Sequence, residues 1–178
     1  ILTSPPVKQT AIENGLTVYQ PNSVRTDEAI SLMRDLAPDC VIVVAYGKII
    51  PAEMLKIAPL GFVNVHGSLL PKYRGAAPIQ WAVIDGEEVT GITTMQMDEG
   101  LDTGDMLEQV STEIGENETA GELFDRLSVM GAELIVSTLK KLEDGSITPV
   151  KQDDSQSNYA KIISKEMAKI EFTKSADE

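Results

Sequence analysis

Asn64 and His66 stand two positions apart in Asn64-Val65-His66-Gly67, and a carboxylate arrives later in Leu101-Asp102-Thr103-Gly104. His66 is the only histidine of the chain. A carboxamide donor, an imidazole and a carboxylate can together stabilise an oxyanion and shuttle protons at a carbonyl carbon. If Asn64 and His66 end a strand, their spacing projects both side chains onto one face, within reach of one substrate atom. A carboxylate close to an imidazole favours its protonated form, so His66 and Asp102 make an acid/base pair, with Asn64 as a neutral donor. Singly, each has a plainer reading: a histidine near a strand end is more often structural, and an aspartate beside a glycine turn is a turn former. The combination points to chemistry.

The elements that must position these residues follow from the pattern around them. Cys40 to Ala45 is a β-branched run too short for most helices, as expected of a central parallel strand buried on both faces. Pro51 suits the first position of a helix over Ala52 to Ile57, and Phe62 to Val65 reads as the next strand. This βαβ unit opens its polar strand ends at the carboxyl edge, where α/β ligands bind, and the Asn64 motif sits there. Asp102 lies on the loop before a later strand, which brings it back towards those strand ends.

Further elements frame that unit. Thr17-Val18 reads as a short strand, and Asp27 to Leu36 as a helix closed by Pro38. Ala77 to Ile84 is a short helix ended by Asp85-Gly86. Gly91 to Met97 and Asp105 to Ile114 alternate as antiparallel strands, with Met95 and Met97 as core. Thr119-Ala120-Gly121-Glu122 is a capping box, followed by an apolar stripe of Leu123, Leu127, Met130, Leu134 and Leu142, joined by Phe124, Ile135 and Leu139. Gly145 follows its end. After Val150 a polar stretch reads as a linker, and Tyr159 to Phe172 resumes a mixed pattern whose lysines, between Lys161 and Lys169, form a solvated face.

Composition bounds the function. The 178 residues, 42% of them hydrophobic, are one domain's worth of globular chain. No apolar run approaches the roughly 18 residues of a membrane helix, and no secretory leader is evident, so a cytoplasmic protein without a membrane partner is expected. The single Cys40 cannot make an internal disulfide or a cysteine-based metal site, its apolar surroundings favour packing, and no metal is expected. Fifteen basic against 28 acidic residues leave a net charge of −13, which opposes nucleic-acid binding through long-range electrostatics.

The joined motifs resemble those of the folate-dependent formyltransferase superfamily: Asn64-Val65-His66, Ser68-Leu69-Leu70-Pro71 and Leu101-Asp102-Thr103-Gly104. Within it, Arg74-Gly75-Ala76-Ala77-Pro78-Ile79, Thr90-Gly91-Ile92-Thr93 and Met95-Gln96-Met97-Asp98 most resemble the methionyl-tRNA formyltransferases. The resemblance implies an α/β, Rossmann-like formyltransferase fold: a mostly parallel central sheet with helices on both faces and an antiparallel extension, its N-terminal strands missing. It implies 10-formyltetrahydrofolate as co-substrate and Asn64, His66 and Asp102 as catalytic positions. Ser68, Leu69, Leu70 and Pro71 would contact the folate, while Lys48, Ile49 and Ile50, with Asp98 and Gly100, match segments whose backbone lines the pterin pocket. Gly47, Gly100 and Gly104 agree in kind, since glycine lets a backbone approach a planar ring. Arg74 is expected at the rim, facing solvent, a phosphate or a nucleic-acid backbone.

The same resemblance makes the chain a fragment. Residues 1–150 would be the catalytic domain without its first βαβ portion, and 151–178 would lead to an absent tRNA-binding domain. Initiator methionyl-tRNA would then be engaged through the intact protein, with no DNA partner. Sister acceptors remain open: an amino sugar nucleotide, glycinamide ribonucleotide or water. So does a folate-binding module without catalysis.

Overall fold

Val41–Val43 (β1) and Phe62–His66 (β2) pair in parallel across the short helix Ala52–Leu55 (α3), which makes the expected βαβ unit. The computed structural model describes residues 3–169 and 173. Helix α1 (Pro6–Glu13) begins with proline at its first position and buries none of its residues, so it lacks the apolar stripe that would mark it in the sequence. Thr17-Val18 forms no strand; Leu16 and Tyr19 beside it are both exposed, and an isolated apolar pair has no ladder to join. Helix α2 (Asp27–Leu36) has the predicted limits. The Thr26 side chain accepts from the Ala29 N–H at its start, and left-handed Ala37 ends it before Pro38.

The four-stranded sheet runs β1-β2-β4-β5, where β4 is Val89–Gln96 and β5 is Met106–Glu113. β4 lies antiparallel between β2 and β5, opposing Thr93 to His66 and Met95 to Asn64. One pairing of the described sheet is parallel and two are antiparallel. β1 departs from expectation: it is three residues long and forms the edge of this sheet, with Ile42 36% exposed. A continuous apolar run shows that both faces of a strand are greasy, but not which neighbours flank it. Pro51 likewise precedes α3 as its N-cap rather than occupying its first position, and α3 stops at Leu55.

Helices cover both faces of the sheet. On one, Ala29, Ile30 and Met54 pack with Val43 and Phe62. On the other, Leu123 and Leu127 of helix α5 (Ala120–Glu143) meet Ile92, with Val65 alongside and Ile79 from helix α4 (Pro78–Ile84). Phe62 and Val65 point oppositely because their separation on β2 is odd. Each fully buried leucine contributes roughly 1.5–3 kcal/mol, which holds α5 to the sheet. Its capping box closes as expected, with the Thr119 side chain accepting from the Glu122 N–H and the Glu122 carboxylate accepting from the Thr119 N–H. Phe124, placed in the apolar stripe, instead faces outward at 52% exposure.

A second, two-stranded sheet joins Arg74–Gly75 (β3) in parallel to Tyr159–Ala160 (β6). It anchors the stretch after Val150 to the loop that follows β2. Val150 itself exchanges backbone hydrogen bonds with Met106 at the start of β5. The stretch read as a linker is therefore packed through Ala160, which is fully buried. Residues 161–169 are exposed, as expected of a solvated face, and residues 170–172 and 174–178 of the expected tail lie outside the described residues.

Candidate active site

The predicted trio converges. β2 delivers Asn64 and His66 to its carboxyl end, and the loop before β5 returns Asp102 against them. His66 Nδ1 lies 3.8 Å from Asp102 Oδ2, and Asn64 Nδ2 lies 3.5 Å from Asp102 Oδ1. Both distances are long for committed bonds, so the carboxamide and the imidazole edge keep capacity for a substrate oxygen. The carboxylate itself is fixed by the Gly75 backbone N–H, which donates to Oδ2 at 2.8 Å. Asp102 holds a left-handed φ of 52°, a region aspartate tolerates better than most residues.

His66 is 5% exposed. Its Nε2 lies 2.9 Å from the Tyr73 carbonyl oxygen, and a carbonyl only accepts, so Nε2 carries the proton. Nδ1 is thereby turned to Asp102, and a proton there sits between imidazole and carboxylate. Tyr73 also has a left-handed φ, 58°, unusual for a bulky residue and sustained only by surrounding contacts. Its N–H donates to Asn158 Oδ1, and its hydroxyl lies 2.9 Å from both Asp85 Oδ2 and Glu87 Oε1. Burial, reinforced by these two carboxylates, pushes the phenol well above its ordinary pKa, so it stays a donor.

The segments expected to hold the folate divide by exposure. Ser68 and Leu70 are buried: Ser68 Oγ donates to the Lys72 carbonyl at 2.6 Å, and Leu70 N donates to Thr93 Oγ1 at 3.1 Å. Gln109 Nε2 reaches both the Leu70 carbonyl and Thr93 Oγ1 at 2.9 Å. This loop, with its cis Leu70-Pro71 bond, is thus tied to the middle of the sheet, leaving Leu69 and Pro71 partly accessible. Ile50 packs in the core, while Ile49 is 69% exposed and Lys48 Nζ reaches the Asn22 carbonyl. Asp98 accepts from the Gly100 N–H and the Thr103 hydroxyl, so its carboxylate shapes its own loop. Buried Ser68, Leu70 and Ile50 have side chains committed to packing, and any contact they make with a ligand runs through backbone.

Arg74 corrects an expectation. It is 9% exposed rather than at an open rim, with Nε donating to Gln152 Oε1 at 2.9 Å and an Nη to Asp154 Oδ1 at 2.8 Å. Sequence reasoning missed Gln152 altogether, for it sits in a polar stretch whose partners lie far back along the chain. Its Nε2 donates to the carbonyls of Asp102 and Gly104 at 2.8 and 2.7 Å. An open cavity of about 820 Å³ elsewhere, lined by Arg34, Asp39, Glu53 and Lys56 among others, adjoins the chain entering β1 and contains none of the trio. Cys40 there is half-buried, and burial pushes its thiol pKa up.

Residues 2–139 match the family model described as formyl transferase. The chain belongs to the formyl transferase family. It is 54% identical over 172 residues to the methionyl-tRNA formyltransferase of Acetivibrio thermocellus, covering 97% of this chain and 55% of that protein. It thus spans about half the length of the curated relatives it matches. Among solved structures, phosphoribosylglycinamide formyltransferase from Bacillus halodurans shares 27% identity at a TM-score of 0.69, covering 78% of this chain and 76% of its own. Glycinamide ribonucleotide transformylase 1 from Symbiobacterium toebii shares the fold at a TM-score of 0.71 and 22% identity, over 82% of this chain and 74% of that one. Among the described residues no helix is long and apolar enough to cross a membrane.

Proposed function

We propose that this chain is the catalytic part of an enzyme that moves the formyl group of 10-formyltetrahydrofolate to the α-amino group of initiator methionyl-tRNA, in the cytoplasm, in support of translation initiation. The observation that carries the reading is the convergence of Asn64, His66 and Asp102 at the carboxyl end of β2. The acceptor rests on the 54% identity with a methionyl-tRNA formyltransferase, set against 27% for the glycinamide ribonucleotide enzyme.

In this mechanism the acceptor amine attacks the formyl carbon, forming a C–N bond and pushing the carbonyl electrons onto oxygen. The Asn64 carboxamide and the Nδ1 proton of His66, carried in the doubly protonated form of the imidazole, hold that oxyanion. Collapse of the tetrahedral centre breaks the bond to folate N10, whose electron pair takes a proton. Asp102 receives the proton lost by the attacking amine, directly or through one water, and returns it towards N10. No covalent enzyme intermediate is required. The folate would lie along the 68–71 loop and between the 48–50 and 98–100 segments, met largely by backbone.

The net charge of −13 opposes long-range attraction of a nucleic acid to this chain, so in this reading the tRNA is drawn in by parts of the intact protein outside it. The intact parent protein, given formyl-labelled 10-formyltetrahydrofolate with methionyl-tRNA, glycinamide ribonucleotide, an amino sugar nucleotide or water, decides this. Label on methionyl-tRNA is expected. Label on another acceptor reassigns the substrate, and bound folate without label loss would make the chain a binding module.

A further inference from the structure

We propose that the stretch from Gln152 to Ala160 acts as a buckle over the catalytic loops, with Gln152 as the residue that positions Asp102. The inference rests on the reading of Asp102 as catalytic. Gln152 is 7% exposed and its carboxamide is fully engaged. One amino group donates to the carbonyls of Asp102 and Gly104, at 2.8 and 2.7 Å, while the oxygen accepts from Arg74 Nε at 2.9 Å. Rotating the amide by half a turn would set its oxygen against two carbonyls and its amino group against a guanidinium, so a single orientation survives.

The same stretch holds the other side of Asp102. The carbonyl of Asn158 accepts from the Arg74 N–H at 3.1 Å and that of Ala160 from the Ala76 N–H at 2.9 Å, which fixes β3 in place. Between those two bonds lies the Gly75 N–H that grips Asp102 Oδ2. Gly75 has a φ of +109°, and a Cβ there would come within 2.5 Å of the Tyr159 ring. Asp102 is thus clamped at its backbone by Gln152 and at its carboxylate by a strand that 158–160 secures. Aspartate tolerates this left-handed conformation, and the 152–160 stretch holds Asp102 in it from both its backbone and its carboxylate side.

The test uses the intact parent protein. Gln152→Glu keeps the shape and an acceptor for Arg74 but replaces the two donated hydrogen bonds with carboxylate-to-carbonyl repulsion. If Gln152 only filled space and paired Arg74, Q152E would retain normal turnover. The proposal instead expects kcat to fall about 10–100-fold, the scale of a misplacement near 1 Å, with KM for folate and methionyl-tRNA changed less than about threefold. In the double variant with Asp102→Asn, turnover should equal that of D102N alone, because Gln152 acts through Asp102. Near-parental kcat in Q152E, or losses that multiply in the double variant, would overturn the proposal. Should Q152E fail to fold, Gln152→Asn, with the same amide on a shorter stem, carries the same comparison. An active D102N would instead remove the catalytic reading of Asp102, a separate failure seen in the same assay.

Discussion

His66 Nε2 and the Tyr73 carbonyl, 2.9 Å apart, set the direction of the imidazole: one nitrogen is occupied by a backbone acceptor, and the other is turned to Asp102. Tyr73 presents that carbonyl from a left-handed backbone, and that conformation is held by contacts from Asn158, Asp85 and Glu87. A residue outside the reacting group therefore selects the tautomer.

The first expectation concerns that tautomer. In the intact protein, ¹⁵N spectra of neutral His66 should show the proton on Nε2. A proton found on Nδ1 in the neutral form would contradict the assigned geometry.

In the proposed mechanism, Asn64→Ala removes one neutral donor to the oxyanion. Turnover should drop about 10²–10³-fold, equivalent to roughly 2.7–4 kcal/mol of transition-state stabilisation. Stability should barely change, because the long 3.5 Å contact to Asp102 holds little of the fold together. Equal losses in kcat and kcat/KM, measured beside a thermal melt, check both halves.

Tyr73→Phe deletes the hydroxyl shared by Asp85 and Glu87. The two carboxylates then face each other without a donor between them, and a loss of about 1.5 kcal/mol is expected, the low end for a hydrogen bond to a charged group, because Glu87 is partly solvated. Urea unfolding of parent and variant measures it; an unchanged midpoint would show that the phenol is not a strut.

Glu87 supplies a pH signature. The hydrogen bond from Lys72 Nζ, followed by that from the Tyr73 hydroxyl, holds its carboxyl below the ordinary value. A lowered folded-state pKa stabilises above the unfolded value, about 4.3, and that stabilisation disappears as pH falls through the folded value. The stability gap between parent and Lys72→Met should therefore be open at neutral pH and close as acidification carries the pH below the ordinary glutamate range and through the lowered folded value. A gap that widens on acidification would reverse the sign of the argument.

Gly104→Ala probes the backbone of the Asp102 loop. An added Cβ would stand 1.7 Å from the Gln96 carbonyl oxygen, which no side-chain adjustment relieves. The loop must move, so lost formyl transfer together with destabilisation of about 1–3 kcal/mol is expected.

Much of this was legible in the sequence where the information is local. The limits of α2 follow from Thr26 and the Ala37-Pro38 ending, and the capping box of α5 from four consecutive residues. The trio was legible because its members are the chemistry-bearing types and their spacing puts two on one strand face. The buckle was not. Gln152 lies 78 positions from Arg74 and 48 from Gly104, and a polar stretch that folds back onto a loop looks the same in sequence as one that runs into solvent. The same blindness put Arg74 at an open rim and β1 in the middle of the sheet: residue type signals burial or polarity, not the distant partner that satisfies it.

The most direct test is a single turnover of the intact parent protein and its Asp102→Asn variant, each loaded with formyl-labelled 10-formyltetrahydrofolate and mixed with methionyl-tRNA. The account predicts that D102N binds the folate as the parent does yet passes the label to the methionyl amine about 10²–10⁴-fold more slowly than the parent. Transfer by D102N at close to the parental rate would contradict the central role given to the Asn64, His66 and Asp102 constellation.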